Sequence, residues 1–388
     1  MESNRISALS ASVIAFVCCL ILTGNQLPEP TTRPVIDKKQ VPADEFYLQR
    51  SWPDLKPDVR AYEHALQSVA ASASERSQLI PGFNGSWRLE GPKNIGGRIN
   101  TILVHPSNQD IIYVGNASGG IFKTIDGGST WESIFDDQPY LPIGHLAFEP
   151  GNPSVIYAAT GDPNITGLPF IGDGLWKSSD AGQTWMHLGL TDQRIISKVV
   201  INPQNTQEIY AAAMGLPFER DLERGLYKST DGGQTWTLKL FLSDEAGIID
   251  LVMDPNDPQT IYAVGWDRIR NNQESLISGP NCRIFKSTNG GGTWAFMGNG
   301  LPTGTMSRIG ISISESNPDV LYAVFVDDNL SFAGIYKTVV AGANWTLLPM
   351  NGIDPGFMGG FGRYFGRIVV NPADENHVYV CGITMYYT

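Results

Sequence analysis

Short apolar runs rich in β-branched residues recur along the chain, at Ile99–Val104 and 198–201 among others, and each leads into a turn. In five copies a Pro follows the run and a Tyr stands seven residues beyond it: Pro106/Tyr113, Pro150/Tyr157, Pro203/Tyr210, Pro255/Tyr262 and Pro372/Tyr379. A further copy puts Glu315 seven before Tyr322, so the register survives loss of the Pro. Such runs, bounded by turn residues, predict short antiparallel strands. Beyond the Tyr comes a polar box, Ser229-Thr-Asp231-Gly-Gly233-Gln-Thr235-Trp236. It recurs at 124–131 and 178–185, at 287–294 with Asn289 for the acid, and at 338–345 with Val340 there. The closing Trp residues fall at 131, 185, 236, 294 and 345. A period near fifty with one supersecondary unit per repeat predicts an all-β β-propeller of four-stranded blades. Strand A of each unit ends at the Pro turn, B carries the Tyr, C precedes the box and D starts at the Trp.

The box needs no catalytic explanation. An Asp side chain accepting backbone N–H groups closes the C–D turn, and Gly supplies a positive φ. The Trp then buries a large apolar face between blades. Asp126, Asp180, Asp231 and Asn289 are therefore read as structural.

Residues 83–388 carry the array: five full units, a partial sixth, and a lone strand D at Trp87 to Leu89, an arrangement that predicts a ring incomplete at its C-terminal end. Residues 26–82 read as linker and helix, with helical stretches around Asp44 to Trp52 and Pro57 to Ser74. The second carries Tyr62, Leu66, Val69 and Ala73 on one stripe, which predicts a helix packed against the propeller. Residues 1–25 hold an apolar run behind Arg5, read as a secretory signal or an uncleaved signal anchor. Val17 and Cys18 ahead of Cys19 are not the small residues that a lipobox needs. Secretion or display on the cell surface follows, with the anchor as the only membrane contact.

A net charge of −12 leaves no basic stripe for phosphates, so nucleic acid is excluded as a partner. Only Cys282 and Cys381 follow the signal, and no Cys/His grouping has metal-ligand spacing. No metal or cofactor is implied.

Loop length varies where B joins C and where D joins the next A, and up-and-down topology puts these connections on one face. Variable loops on a rigid scaffold are where binding resides. Asn116, Asp162, Asp173, Trp266, Asp267 and Tyr364 lie on this face as ligand-binding candidates. Arg98, Arg308 and Arg367 each precede a strand-A run, which aims them at the mouth of the central channel. There they either clamp a carboxylate or pair with neighbouring acids.

Together the boxes, the Tyr strands and the opening 91–98 (Gly-Pro-Lys-Asn-Ile-Gly-Gly-Arg) resemble secreted bacterial Asp-box propellers of the sortilin-like and glycoside hydrolase family 74-like superfamily. That class includes receptors, assembly factors and glycosidases, so its folds do not settle an activity. Resemblance to family 74 implies an acid in the first B–C hairpin, where this chain has Ala117. Resemblance to sialidases implies an Arg-Ile pair, here Arg98-Ile99, but no Tyr/Glu nucleophile pair stands out. The expectation is a non-catalytic propeller binding extracellular glycan or protein through its B–C and D–A loops. The alternative is a sialidase-like or xyloglucanase-like glycosidase.

Overall fold

Each repeat folds as an antiparallel sheet with its strands in chain order. The computed structural model describes residues 48–49, 51–53, 57–79, 97–166 and 170–388. Blade 1 is β1 (Ile99–Val104), β2 (Ile112–Asn116), β3 (Ile121–Thr124) and β4 (Glu132–Ser133). Blade 2 is β5 (Ile143–Glu149), β6 (Asn152–Thr160), β7 (Leu175–Ser178) and β8 (Met186–His187). Blade 3 is β9 (Ile196–Ile201), β10 (Ile209–Ala213), β11 (Gly225–Ser229) and β12 (Thr237–Leu240). Blade 4 is β13 (Ala246–Met253), β14 (Ile261–Asp267), β17 (Ile284–Ser287) and β18 (Ala295–Met297). Its B–C loop adds a small hairpin, β15 (Ile269–Arg270) with β16 (Ser275–Leu276). Blade 5 is β19 (Met306–Ile313), β20 (Leu321–Asp327), β21 (Phe332–Thr338) and β22 (Thr346–Leu347). The sixth sheet has three strands, β23 (Ile368–Asn371), β24 (Asp374–Val380) and β25 (Tyr386–Tyr387).

The first strand of each blade is innermost, and these strands pack on one another in succession, β1 on β5, β5 on β9, β9 on β13, β13 on β19 and β19 on β23. Every interface between successive blades holds its own apolar cluster. Tyr157, Leu175, Ile196 and Val199 fill the one between blades 2 and 3, and Val324, Ile335, Ile368 and Val378 the one between blades 5 and 6. The expected all-β propeller is observed.

The boxes close their turns as their chemistry requires. Asp231 accepts the Thr235 amide at 2.9 Å, the Thr235 hydroxyl at 2.6 Å and the Ser229 hydroxyl at 2.7 Å. Asp126 and Asp180 repeat this. Asn289 does the same, with its amide nitrogen donating to the Thr293 hydroxyl at 2.9 Å. Gly232 and Gly233 take φ of 76° and 95°, which an L side chain tolerates poorly.

A helix precedes the blades. α1 (Val59–Leu79) begins two residues later and runs further than the pattern predicts. Its stripe is only partly covered, with Tyr62 51% and Val69 58% exposed. A second, single-turn helix, α2 (Gly362–Phe365), lies in the connection between blades 5 and 6. The apolar run near the N-terminus, the linker, most of the stretch around Asp44 to Trp52, and Trp87 to Leu89 lie outside the described residues. Among the described residues no helix is long and apolar enough to cross a membrane.

Candidate functional site

Inner-strand geometry decides which side chains reach the axis. In blades 1 to 4 the pairing between the first two strands shifts by a β-bulge ahead of Thr101, His145, Lys198 and Asp250. A bulge re-aims the side chains beside it. All four residues stand five positions before the turn Pro, and so does Arg367 of blade 6. Several of them bridge neighbouring strands: the Thr101 hydroxyl accepts the Leu146 amide at 3.3 Å, and Asp250 accepts the Ile311 amide at 3.2 Å. Lys198 pairs with Asp250 at 3.3 Å. Burial, then the charges of Lys198 and Arg367, draws the His145 ring well below its usual range.

Above this layer the blade 2 loop turns across the channel mouth. Asp162 is fully buried and ion-paired to Arg98. It also accepts the Asn100 amide nitrogen at 3.2 Å and that of Asn164 at 3.1 Å. Asn164 in turn donates to the Asn100 side chain at 2.9 Å and accepts Arg308 at 2.6 Å. Arg308 also donates to the Arg363 carbonyl at 2.6 Å, and Arg367 to the Asn100 carbonyl at 2.5 Å. One polar network thus ties blades 1, 2, 5 and 6 at the mouth. Ile165, with φ of 44°, is driven into the core, where its carbonyl accepts Arg268 at 2.5 Å. Burial, then the like charge of Arg367, pulls the Arg308 guanidinium down to about 9.

Of the expected ligand-binding residues, Arg98, Asp162, Arg308, Tyr364 and Arg367 come together here. The Tyr364 ring lies 5.4 Å from the Arg98 guanidinium and 5.0 Å from that of Arg363. Trp266 lies just beneath, fully buried, with Arg268 and Arg308 over its ring at 5.6 and 5.7 Å and its indole N–H on the Ile277 carbonyl. Asp267 is buried and accepts the backbone and side-chain nitrogens of Asn281, both at 2.8 Å. Asp173 is buried elsewhere on the face; it accepts the Trp176 indole at 2.9 Å, and burial pushes its carboxyl up. Asn116 ends β2, its amide on the Gly120 carbonyl at 3.0 Å. Next to it Ala117 is 3% exposed and donates its amide to the Arg98 carbonyl at 2.9 Å. The three strand-start arginines have their donors on Asp162, Asn164 and backbone carbonyls, so neighbour pairing describes them better than an open clamp.

Asn100, Asn164, His145, Lys198 and Asp250 are the residues that the loop argument missed. The signal for three of them was present: they share the position five before the Pro.

Beside the mouth lies a cleft of about 620 Å³ between α1 and the B–C/D–A face. Tyr62 and Leu66 of α1, Tyr140 and Pro142 from the blade 1–2 connection, and Phe170 and Phe218 from the loops line it. Tyr62 packs on Tyr140 with ring centroids 5.7 Å apart, and Glu63 pairs with Arg194 at 2.6 Å, which fixes α1 to blade 2. The buried Tyr140 hydroxyl has no partner, and burial pushes it up to about 12. Among the described residues no three His, Cys, Asp or Glu side chains group to hold a metal ion.

A family model described as Sortilin, neurotensin receptor 3, matches residues 173–326. Among curated proteins, a xyloglucanase of Acetivibrio thermocellus is 23% identical over 265 residues, 60% of this chain and 29% of the relative. A xyloglucanase of Hypocrea jecorina is 24% identical over 312 residues, 71% of this chain and 35% of the relative. The chain thus spans about a third of the length of these relatives. Among solved structures, a glycoside hydrolase family 74 enzyme of Niastella koreensis superposes with a TM-score of 0.56 at 24% identity, over 74% of this chain and 44% of that one. An oligogalacturonate lyase of Vibrio parahaemolyticus superposes at 0.51 with 11% identity, over 76% of this chain and 78% of that one. One fold thus carries unlike chemistries. The chain is a β-propeller, similar to sortilin-like propellers and to those of glycoside hydrolase family 74.

Proposed function

We infer that this propeller binds carbohydrate on its B–C/D–A face, in the cleft between α1 and blades 1 to 3, without hydrolysing it. The observation that carries this reading is the aromatic cleft with Tyr62 half exposed in its wall. Aromatic faces stack on the apolar faces of sugar rings. The xyloglucanase relatives make a neutral plant polysaccharide the first probe. Against hydrolysis stands Ala117, buried where the resemblance implies an acid. Asp162, Asp173 and Asp267 are buried and hydrogen-bonded within the protein, whereas glycoside hydrolysis needs two carboxyl groups facing a cleft. Export of the chain is part of this proposal and rests on the apolar run near its N-terminus.

The test is titration calorimetry with xyloglucan oligosaccharides, run beside a reducing-end assay. Binding without release of reducing ends is expected, and Tyr62→Ala weakens it at least fivefold with Tm unchanged. Release of reducing ends favours the glycosidase reading. Absence of binding to xyloglucan and other glycans, with a protein ligand retained instead, moves the face to peptide recognition.

A further inference from the structure

The pair Asn-Gly occurs at 84, 289, 299 and 351. In this pair the backbone nitrogen of the second residue can attack the side-chain amide of the first, because glycine has no side chain to shield that nitrogen or to restrict its backbone angles. The first pair lies outside the described residues. The other three stand in unlike surroundings.

Asn289 and Gly290 are locked. The Asn289 side-chain oxygen accepts the Thr293 amide at 2.8 Å and the Ser287 hydroxyl at 3.0 Å, and its amide nitrogen donates to the Thr293 hydroxyl at 2.9 Å. Gly290 is buried, and its nitrogen donates to the Gln259 carbonyl at 2.9 Å. Asn299 is held less fully. Its amide nitrogen donates to the Ala343 carbonyl at 3.1 Å, its own carbonyl accepts the Trp345 amide at 3.0 Å, and Gly300 lies hard against the Trp345 backbone.

Asn351 and Gly352 have neither restraint. Both are exposed in the connection from blade 5 to blade 6, and a Cβ on Gly352 would meet nothing within 4 Å. Among the described residues neither the Asn351 side chain nor the Gly352 nitrogen has a hydrogen-bond partner. The pair forms the middle of a turn that the Ile353 amide closes on the Met350 carbonyl at 3.2 Å, with Gly352 at φ of 82°.

We infer that Asn351 is a site of spontaneous deamidation. The Gly352 nitrogen gives its proton to a base and bonds to the Asn351 side-chain carbon, Cγ. The bond from that carbon to the side-chain nitrogen breaks, and the nitrogen takes a proton from water and leaves as ammonia. Water then opens the five-membered imide at either carbonyl. One opening leaves aspartate; the other leaves isoaspartate, in which the backbone runs through the former side chain.

Isoaspartate lengthens by one carbon a turn that one hydrogen bond closes. Just beyond it Ile353 packs on the apolar cluster between blades 5 and 6, and the Asp354 amide donates to the Tyr386 hydroxyl at 3.3 Å. Phe357 lies edge-on to Phe332 and Tyr386, with ring centroids 4.9 and 5.2 Å away. Ageing at Asn351 therefore loosens the segment that seals blade 5 to blade 6.

The test ages the full chain at mildly alkaline pH, folded and in urea, and follows its peptides by mass spectrometry that separates aspartate from isoaspartate. In the folded chain Asn351 is expected to convert at least tenfold faster than Asn289, with Asn299 between them, because a locked pair reacts only through local opening. In urea the three rates should converge. Asn351 converting no faster than Asn289 in the folded chain overturns the proposal. So does a lead that persists undiminished in urea, which assigns it to neighbouring residues and not to the fold. Amide exchange across 353–361 should speed up in the aged parent and stay slow in fresh Asn351→Asp, which has the charge without the extra carbon, and in aged Asn351→Gln. Equal exchange in fresh and aged parent overturns the loosening, and so does faster exchange in either variant.

Discussion

At the scale of single residues, the turn carboxylates and the buried arginines make opposite demands on charge. Asp126, Asp180 and Asp231 are held down to about 2, first by the Thr hydroxyl, then by its amide and the box hydroxyl. The folded value lies below the unfolded one near 3.8, so each turn is fully stabilised above about pH 4 and loses that stabilisation as pH falls toward 2. Replacing all three by Asn, which already serves at 289, should flatten the fall in Tm between pH 4 and 2 relative to the parent. An unchanged slope in circular-dichroism melts would show that other acids set it. Arg308 is the opposite case, a buried cation whose donors hold Asn164 and the Arg363 carbonyl. Arg308→Met leaves both acceptors buried without a partner and should cost about 3 kcal/mol in urea unfolding. A loss below about 1 kcal/mol would mean that the mouth network is not structural.

The blade is where the repeat is easiest to test, because one strand-B Tyr is bonded to the next blade and another is not. Tyr262→Phe removes a bond to the Ala341 carbonyl at 2.9 Å and should destabilise by about 1 kcal/mol. Tyr379→Phe, at a part-exposed ring whose hydroxyl holds no such bond, should leave stability unchanged. Equal effects would remove the distinction between the two tyrosines. The helix is the other element with a clear test. Glu63→Ala breaks the pair with Arg194, a contact part exposed on the Glu63 side and worth about 0.5–1 kcal/mol. Faster amide exchange in α1 with unchanged exchange in blades 3 to 5 is expected, and oligosaccharide affinity should drop with it. The periodic stripe of α1 identified its apolar side, but not that a cleft stands between much of that side and the blades. Amphipathicity shows which face seeks cover; what covers it depends on loops up to about 150 residues away.

Across the whole molecule, stability should follow the nearest-neighbour order of a repeat array, in which each blade is held by its two flanks. Blades 1 and 6 each have one exposed flank, at Ile102 and Val369, so hydrogen exchange should be fastest there and slowest in blades 2 to 5. Uniform protection would mean that the array unfolds as one unit or that the open flanks are covered. The strand pattern, the box turns and the positions of the inter-blade Trp and Tyr were legible in the chain, because each depends on contacts within a few residues or on a register that every unit repeats. The arginines ahead of the inner strands were legible as a group for the same reason. What they bind was not: Arg98 meets Asp162 across 64 positions and Arg367 meets Asn100 across 267. Nor could the pattern show that Asp162 and Asn164 of the loop after β6 join Arg98, Asn100 and Arg308 of other blades, or that Lys198 of one inner strand pairs with Asp250 of the next. The sequence by itself determined a ring of Asp-box blades, through local hydrogen bonding and a repeated apolar register. Only the tertiary structure decided which polar side chains meet at its mouth, which aromatics wall the cleft and which two flanks stay open, since these follow from packing distant units around one axis.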